Sequence, residues 1–197
     1  PRSTLFPYTT LFRSKDDKQI LIRTAAVEDA PQLLNIYAPY VRDTAVTFEY
    51  DVPLQEEFAE RIRCTLRRYP YLVAQINGEA VGYADAGAFQ KRAAYNWVAE
   101  TSIYVKQNKR GLGIGKALYR QFEYYLKLQK IVNLNACIAS TQTEDEHLTN
   151  ASILFHERLG FRLVGEFSRC GYKFHRWYNM VWMEKIIGEH LEIMPEV

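Results

Sequence analysis

The segment Arg110 to Leu118 reads RGLGIGKAL, and it follows an apolar run, YNWVAETSIYV, that ends at Val105. A strand-like run, three glycines between basic residues, and then apolar residues at helical spacing form the grammar of a backbone loop that opens a helix. Few junctions constrain a fold as tightly. Glycines let successive backbone N–H groups turn inward without side-chain obstruction. The following helix adds about half a positive charge at its N-terminus. Together these features suit a phosphate.

Two familiar phosphate loops do not fit. A Walker loop needs four residues between its first glycine and the Gly-Lys pair, then a hydroxyl residue. Here three residues separate Gly111 from Gly115, and Ala117 stands where the hydroxyl belongs. A dinucleotide fingerprint needs G-x-G-x-x-G at the start of a parallel βαβ array. Here the third glycine comes one residue early.

The rest of the chain supplies strands and helices in alternation. QILIR (Gln19 to Arg23) alternates like a strand. Glu28 and Asp29 precede a helical face in LLNIYAPYV. Pro53 fits the first helical position of LQEEFAERIRCTLRRY, with Leu54, Phe58, Ile62 and Leu66 on one face and Pro70 as a stop. YLVAQI and AVGYADAG flank Asn77-Gly78, the strongest short hairpin signal. Tyr95 to Val105 reads as one long strand, and Gly113 to about Gln129 as a helix with Ile114, Leu118, Phe122 and Leu126 on one side. NLNACI is a strand, TQTEDEHLT a loop, and SILFHERL a helix closed by Gly160. FRLVGEF and WYNMVWMEKI read as two late strands. The expectation is a mixed α/β domain, a central twisted sheet flanked by helices, over residues 15–187. Residues 188–197 read as a tail. TLFPYTTLFRS, Thr4 to Ser14, looks like a translated sequencing adapter, so residues 1–14 are expected outside the fold as a non-native or disordered leader.

Composition excludes several classes. A net charge of +2 gives no case for nucleic acid, and no apolar run reaches transmembrane length. Cys64, Cys137 and Cys170 show neither metal-ligand spacing nor a disulfide framework, which points to a reducing cytoplasmic compartment. The scatter of the four histidines does not suggest a metal site.

Arg110-x-x-Gly113-x-Gly115 after a strand ending Tyr104-Val105 resembles the acetyl-CoA loop of the GNAT superfamily of N-acetyltransferases, and the resemblance spans Gln19 to Ile187. RYPYLVA, RAAYNWVAETSIYV, HERLGF and GYKFHRWYNMVWMEK look like its phosphinothricin and methionine sulfone or sulfoximine acetyltransferase subfamily. The resemblance implies the GNAT fold, acetyl-CoA as cosubstrate, a small-molecule amine acceptor, no metal, and a homodimer. The amides of Arg110, Gly111, Leu112, Gly113, Ile114, Gly115 and Lys116 would hold the pyrophosphate. The backbone of Ile103, Tyr104 and Val105 would pair with the pantetheine amides.

Acyl transfer to an amine needs a base, a donor for the carbonyl oxygen and a route out for the thiolate. Glu100 occupies the position of the subfamily's catalytic Glu and is a lone carboxylate in an apolar strand, where desolvation raises a carboxyl's pKa. Related acetyltransferases often carry Tyr where this chain has His156; the phosphinothricin-type enzymes look alike in carrying His, here expected to serve the leaving thiolate. Arg92 and Tyr95 align with substrate contacts, Arg92 as a clamp for an amino acid's carboxylate. Phe48 and Tyr172 are further acceptor-pocket candidates. Gln90 departs from the Lys of some phosphinothricin enzymes. An Asn that the superfamily often places seven residues before the His156 position is Thr149 here, with Asn150 one residue late. No Cys is expected in the site, so transfer is direct, without an acyl-enzyme. Two other readings stay open: a different small amine as acceptor, and a non-catalytic acyl-CoA-binding module.

Overall fold

A computed structural model describes residues 9–14, 16 and 18–195. Its centre is an eight-stranded sheet in the order β1-β2-β3-β4-β5-β6-β8-β7. The strands are β1 (Thr10–Arg13), β2 (Gln19–Thr24), β3 (Tyr71–Ile76), β4 (Glu79–Ala88), β5 (Val98–Val105), β6 (Asn133–Ser140), β7 (Arg162–Lys173) and β8 (Arg176–Ile186). Every neighbouring pair is antiparallel except β5 and β6. The helices are α1 (Ala30–Asp43), α2 (Gln55–Leu66), α3 (Ile114–Leu128) and α4 (Ala151–Arg158).

The two periodicities explain the layers. In β3, Leu72 and Ala74 pack in the cluster of α3, with Ile114, Leu118, Phe122 and Leu126. Tyr71 and Val73 turn the other way, to Leu33, Ile36, Tyr37, Phe58 and Ile62 of α1 and α2. A strand covered on both faces reads as an unbroken apolar run, as YLVAQI does. Each fully buried Leu or Ile contributes about 1.5–3 kcal/mol by leaving water. The expected mixed sheet with flanking helices is thus the fold observed.

Several boundaries differ from expectation. α2 begins at Gln55, so Pro53 precedes the helix, and Leu54 is exposed while Phe58 and Ile62 carry the buried face. β5 begins at Val98; Tyr95 instead closes a short 3-10 turn, Ala93–Tyr95. β7 and β8 are longer than read and meet at Phe174-His175, both in the left-handed region at φ 51° and 58°. Thr10–Arg13 are not outside the fold: they pair with Gln19 to Ile22, and Phe12 packs against the α3 cluster. Alternate burial along TLFR is the reason. The first eight residues lie outside those described. In the expected tail, Gly188 N–H donates to Val132 O, and Pro195 O accepts from the Trp97 indole at 3.0 Å.

Candidate active site

β5 and β6 pair only at Val98↔Asn133, Ala99↔Leu134 and Glu100↔Asn135. Both strands then continue, to Val105 and Ser140, without pairing to each other. Two parallel strands that part in mid-sheet leave alternate backbone N–H and C=O groups of residues 101–105 without strand partners, in a V that opens at Glu100. Thr101 to Tyr104, Ala136 to Ile138, Val46, Ser152 and His156 line a narrow cleft at this V.

The glycine loop stands at the far end of β5. Gly111 and Gly113 have φ of 81° and 87°, a region that disfavours any side chain. Gly113 is the N-cap of α3, and no side chain caps the helix, so its first N–H groups are free for an anion. Arg110 lies over the Tyr40 ring at 5.2 Å, and the Tyr40 hydroxyl donates to Val105 O. Gly115 also answers to packing. A Cβ there would lie 2.8 Å from Phe155 Cζ, so it is α4's close approach that excludes a side chain.

Strand alternation sorts the site residues onto two faces. Thr101 and Ile103 turn toward α3 and α4. The Thr101 hydroxyl meets Tyr119 OH at 3.0 Å, and Tyr119 OH meets His156 Nε2 at 2.8 Å. His156 Nδ1 lies 2.7 Å from Ser152 O, an acceptor only, so this nitrogen carries the hydrogen. Nε2 then accepts from Tyr119. Burial lowers the imidazole's pKa, opposed by the Ser152 bond. His156 is a neutral, 3% exposed ring with both nitrogens engaged. The expectation that it hands a proton directly to the thiolate is not what this geometry presents.

Glu100 and Ser102 turn to the other face, toward α1 and α2, with Tyr104. Glu100 is half-buried, and desolvation raises its pKa. Asp85, opposite Ser102 in the register, went unnoticed in the sequence. Its carboxyl is pushed up to about 7, by burial first and then by Glu100, against the pull of Arg61. The signal was the one that singled out Glu100: a lone carboxylate in an apolar strand. Cys137 also lines the cleft, which corrects the expectation of no Cys in the site. Burial, then Glu100, pushes its thiol up to about 11, so it is a poor nucleophile at neutral pH.

The remaining candidates divide. Phe48 packs over Gly171, where a Cβ would lie 2.3 Å from the ring. Tyr172 packs against Trp177 with the rings tilted and 5.0 Å apart, and Tyr172 O accepts from Tyr50 OH. The Tyr95 ring rests on Phe89, which rests on Trp182, the neighbour of Cys137 in the register. Arg92 is exposed at the start of the 3-10 turn. Asn150 has both ends of its amide on Thr141, accepting at 3.1 Å and donating at 2.9 Å, so it ties α4 to the end of β6. Among the described residues no group of three or more His, Cys, Asp or Glu is placed to hold a metal, and no helix is long and apolar enough to cross a membrane.

Comparison with known proteins adds what geometry alone does not. The acetyltransferase (GNAT) domain profile matches residues 22–182. A phosphinothricin N-acetyltransferase of Streptomyces viridochromogenes is 28% identical over 167 residues, covering 85% of this chain and 87% of its own. An L-methionine sulfoximine/L-methionine sulfone acetyltransferase of Pseudomonas aeruginosa is 33% identical over 168 residues, covering 83% and 92%. The crystal structure of a GNAT superfamily phosphinothricin acetyltransferase from Sinorhizobium meliloti, in complex with acetyl-CoA, superposes with a TM-score of 0.80 at 32% identity, over 89% of this chain and 92% of the other.

Proposed function

Since the chain belongs to the GNAT acetyltransferase family, we propose that it moves acetyl from acetyl-CoA to the amine of a small amino acid analogue of the phosphinothricin, methionine sulfoximine or methionine sulfone type, with Glu100 as general base. The parting of β5 from β6 at Glu100, in line with the uncapped start of α3, carries this reading. The relatives' names support the acceptor class.

The pyrophosphate lies on the amides of residues 110–116, and the pantetheine pairs with the part of β5 that β6 leaves, Ile103 to Val105. The thioester then reaches the V, where a strand N–H serves the developing oxyanion. The acceptor approaches from the Glu100 face. At neutral pH its nitrogen is an ammonium without a lone pair, and freeing it costs about 1.4 kcal/mol per pKa unit above the working pH. Glu100, desolvated and raised, is matched to that task. Tetrahedral collapse expels the CoA thiolate directly; the thiol form of Cys137 disfavours a covalent detour. His156 is a positioning residue here: it fixes the Tyr119 hydroxyl, and through it Thr101 at the mouth of the V. Asn150 shapes the cofactor side by holding the α4 N-terminus. Arg92 meets the acceptor's carboxylate, and Phe48, Tyr95 and Tyr172 give its side chain an aromatic wall.

A cytoplasmic location is part of the proposal, and three unpaired thiols support it. A homodimer is part of the proposal, and the edge strand β7, which exposes Leu163, Val164 and Phe167, supports it. CoA release with phosphinothricin, methionine sulfoximine, methionine sulfone and their methyl esters tests the whole reading. Turnover of at least one free acid, with a large loss for its ester, is expected. Turnover of amines without a carboxylate, and of none of these acids, contradicts it.

A further inference from the structure

The Glu100 face of the sheet carries a second carboxyl that the reaction above does not use. In the antiparallel pair β4–β5, Gly87 lies opposite Glu100 and Asp85 opposite Ser102. Residues directly opposite point to the same face, and so do residues two apart on one strand. Asp85 is therefore the diagonal neighbour of Glu100, within reach of one small group. Gly87, between them along β4, adds no side chain to separate the two. Neither carboxyl has a hydrogen-bond partner among the described residues. Ser102 and Tyr104, which flank Asp85 on β5, line the cleft at the V.

The surroundings of Asp85 are poor in counter-charge. Tyr71 faces it from β3 and Tyr104 from β5, with Tyr83 on its own strand and Tyr37 on α1; burial raises the pKa of all four, so they stay neutral. The nearby cation is Arg61 of α2, which already holds Glu49 at 2.8 Å and Glu57 at 2.6 Å. Cys137 of β6 is a neutral thiol. Two carboxylates beside one spoken-for guanidinium leave a deficit of positive charge, and an ammonium supplies it.

The chemistry also calls for two proton acceptors. An acceptor ammonium loses one proton before it attacks and a second after the C–N bond has formed. We propose that Asp85 is a second carboxylate of the acceptor site, holding the incoming ammonium beside Glu100 and taking the second of the two protons its nitrogen sheds. This rests on the reading of Glu100 as base. The ammonium gives its first proton to Glu100, and its lone pair forms the C–N bond while the thioester C=O becomes an oxyanion. The nitrogen, now cationic, gives its second proton to Asp85. The C=O re-forms, the C–S bond breaks, and the electron pair leaves on sulfur. One carboxyl proton then reaches the thiolate through solvent and the other returns to bulk water. The products are amide, thiol and one released proton.

Steady-state kinetics with methionine sulfoximine as acceptor, in the unsubstituted protein, Asp85→Asn and Glu100→Gln, test the proposal. Asp85→Asn is expected to raise the acceptor KM by about tenfold or more and leave the acetyl-CoA KM unchanged. The acid limb of kcat/KM should move down by about one pH unit, since the remaining carboxyl no longer titrates against a like charge. Melting temperature at pH 8 should hold or rise, which separates this effect from misfolding. An unchanged acceptor KM and acid limb in Asp85→Asn, with activity lost in Glu100→Gln, overturns the proposal and leaves the base in place. An unchanged profile in Glu100→Gln overturns the reading beneath it. If methionine sulfoximine is not turned over at all, the ¹³C titration of the Asp85 carboxyl decides. A midpoint near 7 that falls in Glu100→Gln supports the pair, and one below about 5 overturns it.

Discussion

The two faces of the sheet solve opposite problems. On the α3 and α4 face the polar groups are matched. Thr101, Tyr119 and His156 form one chain of hydrogen bonds that ends on Ser152 O, and the rings around them pack edge to face. On the α1 and α2 face Asp85 and Glu100 share a half-buried position with no hydrogen-bond partner among the described residues, under four tyrosines. The contrast teaches where this molecule keeps its chemistry. A side that only has to bind can be fully satisfied. A side that has to take protons must hold groups whose charged form is poorly solvated, and that costs stability.

The largest break in the contrast comes at Glu100. Glu100→Gln should lower kcat/KM by about 10²–10⁴-fold, the usual worth of a general base, with the acetyl-CoA KM unchanged. A loss confined to acetyl-CoA binding would move Glu100 to the cofactor side.

A matched pair of glycine substitutions sharpens the comparison next. Gly115→Ala drives a methyl against Phe155 on one face, and Gly171→Ala drives one against Phe48 on the other. Each should cost about 1–3 kcal/mol of stability by overpacking, read from denaturant midpoints. Their kinetic effects should part: the first raises the KM of acetyl-CoA, the second that of the acceptor. Identical kinetic signatures would dissolve the two-sided account.

Tyr119→Phe is expected to act on stability through the satisfied face. It strands the buried Nε2 of His156, at a cost of about 1–3 kcal/mol. Stability unchanged in urea would show that the hydroxyl network holds nothing together.

The smallest effect is a slope. Asp85 has a folded pKa of about 7 against an ordinary 3.8, so the folded state holds its proton more tightly. Its favourable contribution is full below the unfolded value and is lost as pH rises toward 7. Asp85→Asn should flatten the fall of melting temperature between pH 4 and pH 7. A slope identical to that of the parent protein would show that Asp85 titrates normally.

Local features were legible where local rules decide them. The Asn77-Gly78 hairpin, the face of α3 from Ile114 to Leu126, and the left-handed turn at Gly113 all follow from spacing and residue type. Glu100 was legible as a carboxylate in an apolar strand, aided by family resemblance. Asp85 carried the same mark, but its meaning depends on register across β4 and β5, which one strand's sequence does not state. The Phe174-His175 turn lacks the usual Gly or Asn. It is held by tertiary contacts: His147 stacks on Phe174 at 3.8 Å, and the buried Lys173 donates to the carbonyls of Val41, Thr44 and Thr47. His156 was legible as a residue of interest, but its engaged nitrogens appear only when α3 and α4 are brought together. Thr10–Arg13 read as irregular alone and become a strand when β2 offers an edge.

The account stands on where acetyl-CoA lies relative to the parted strands. Amide chemical-shift changes on titrating acetyl-CoA into ¹⁵N-labelled protein test that most directly. The largest changes are expected at residues 110–116 and 101–105, with little movement in α2. Changes that spare the start of α3 and the free edge of β5 would contradict it.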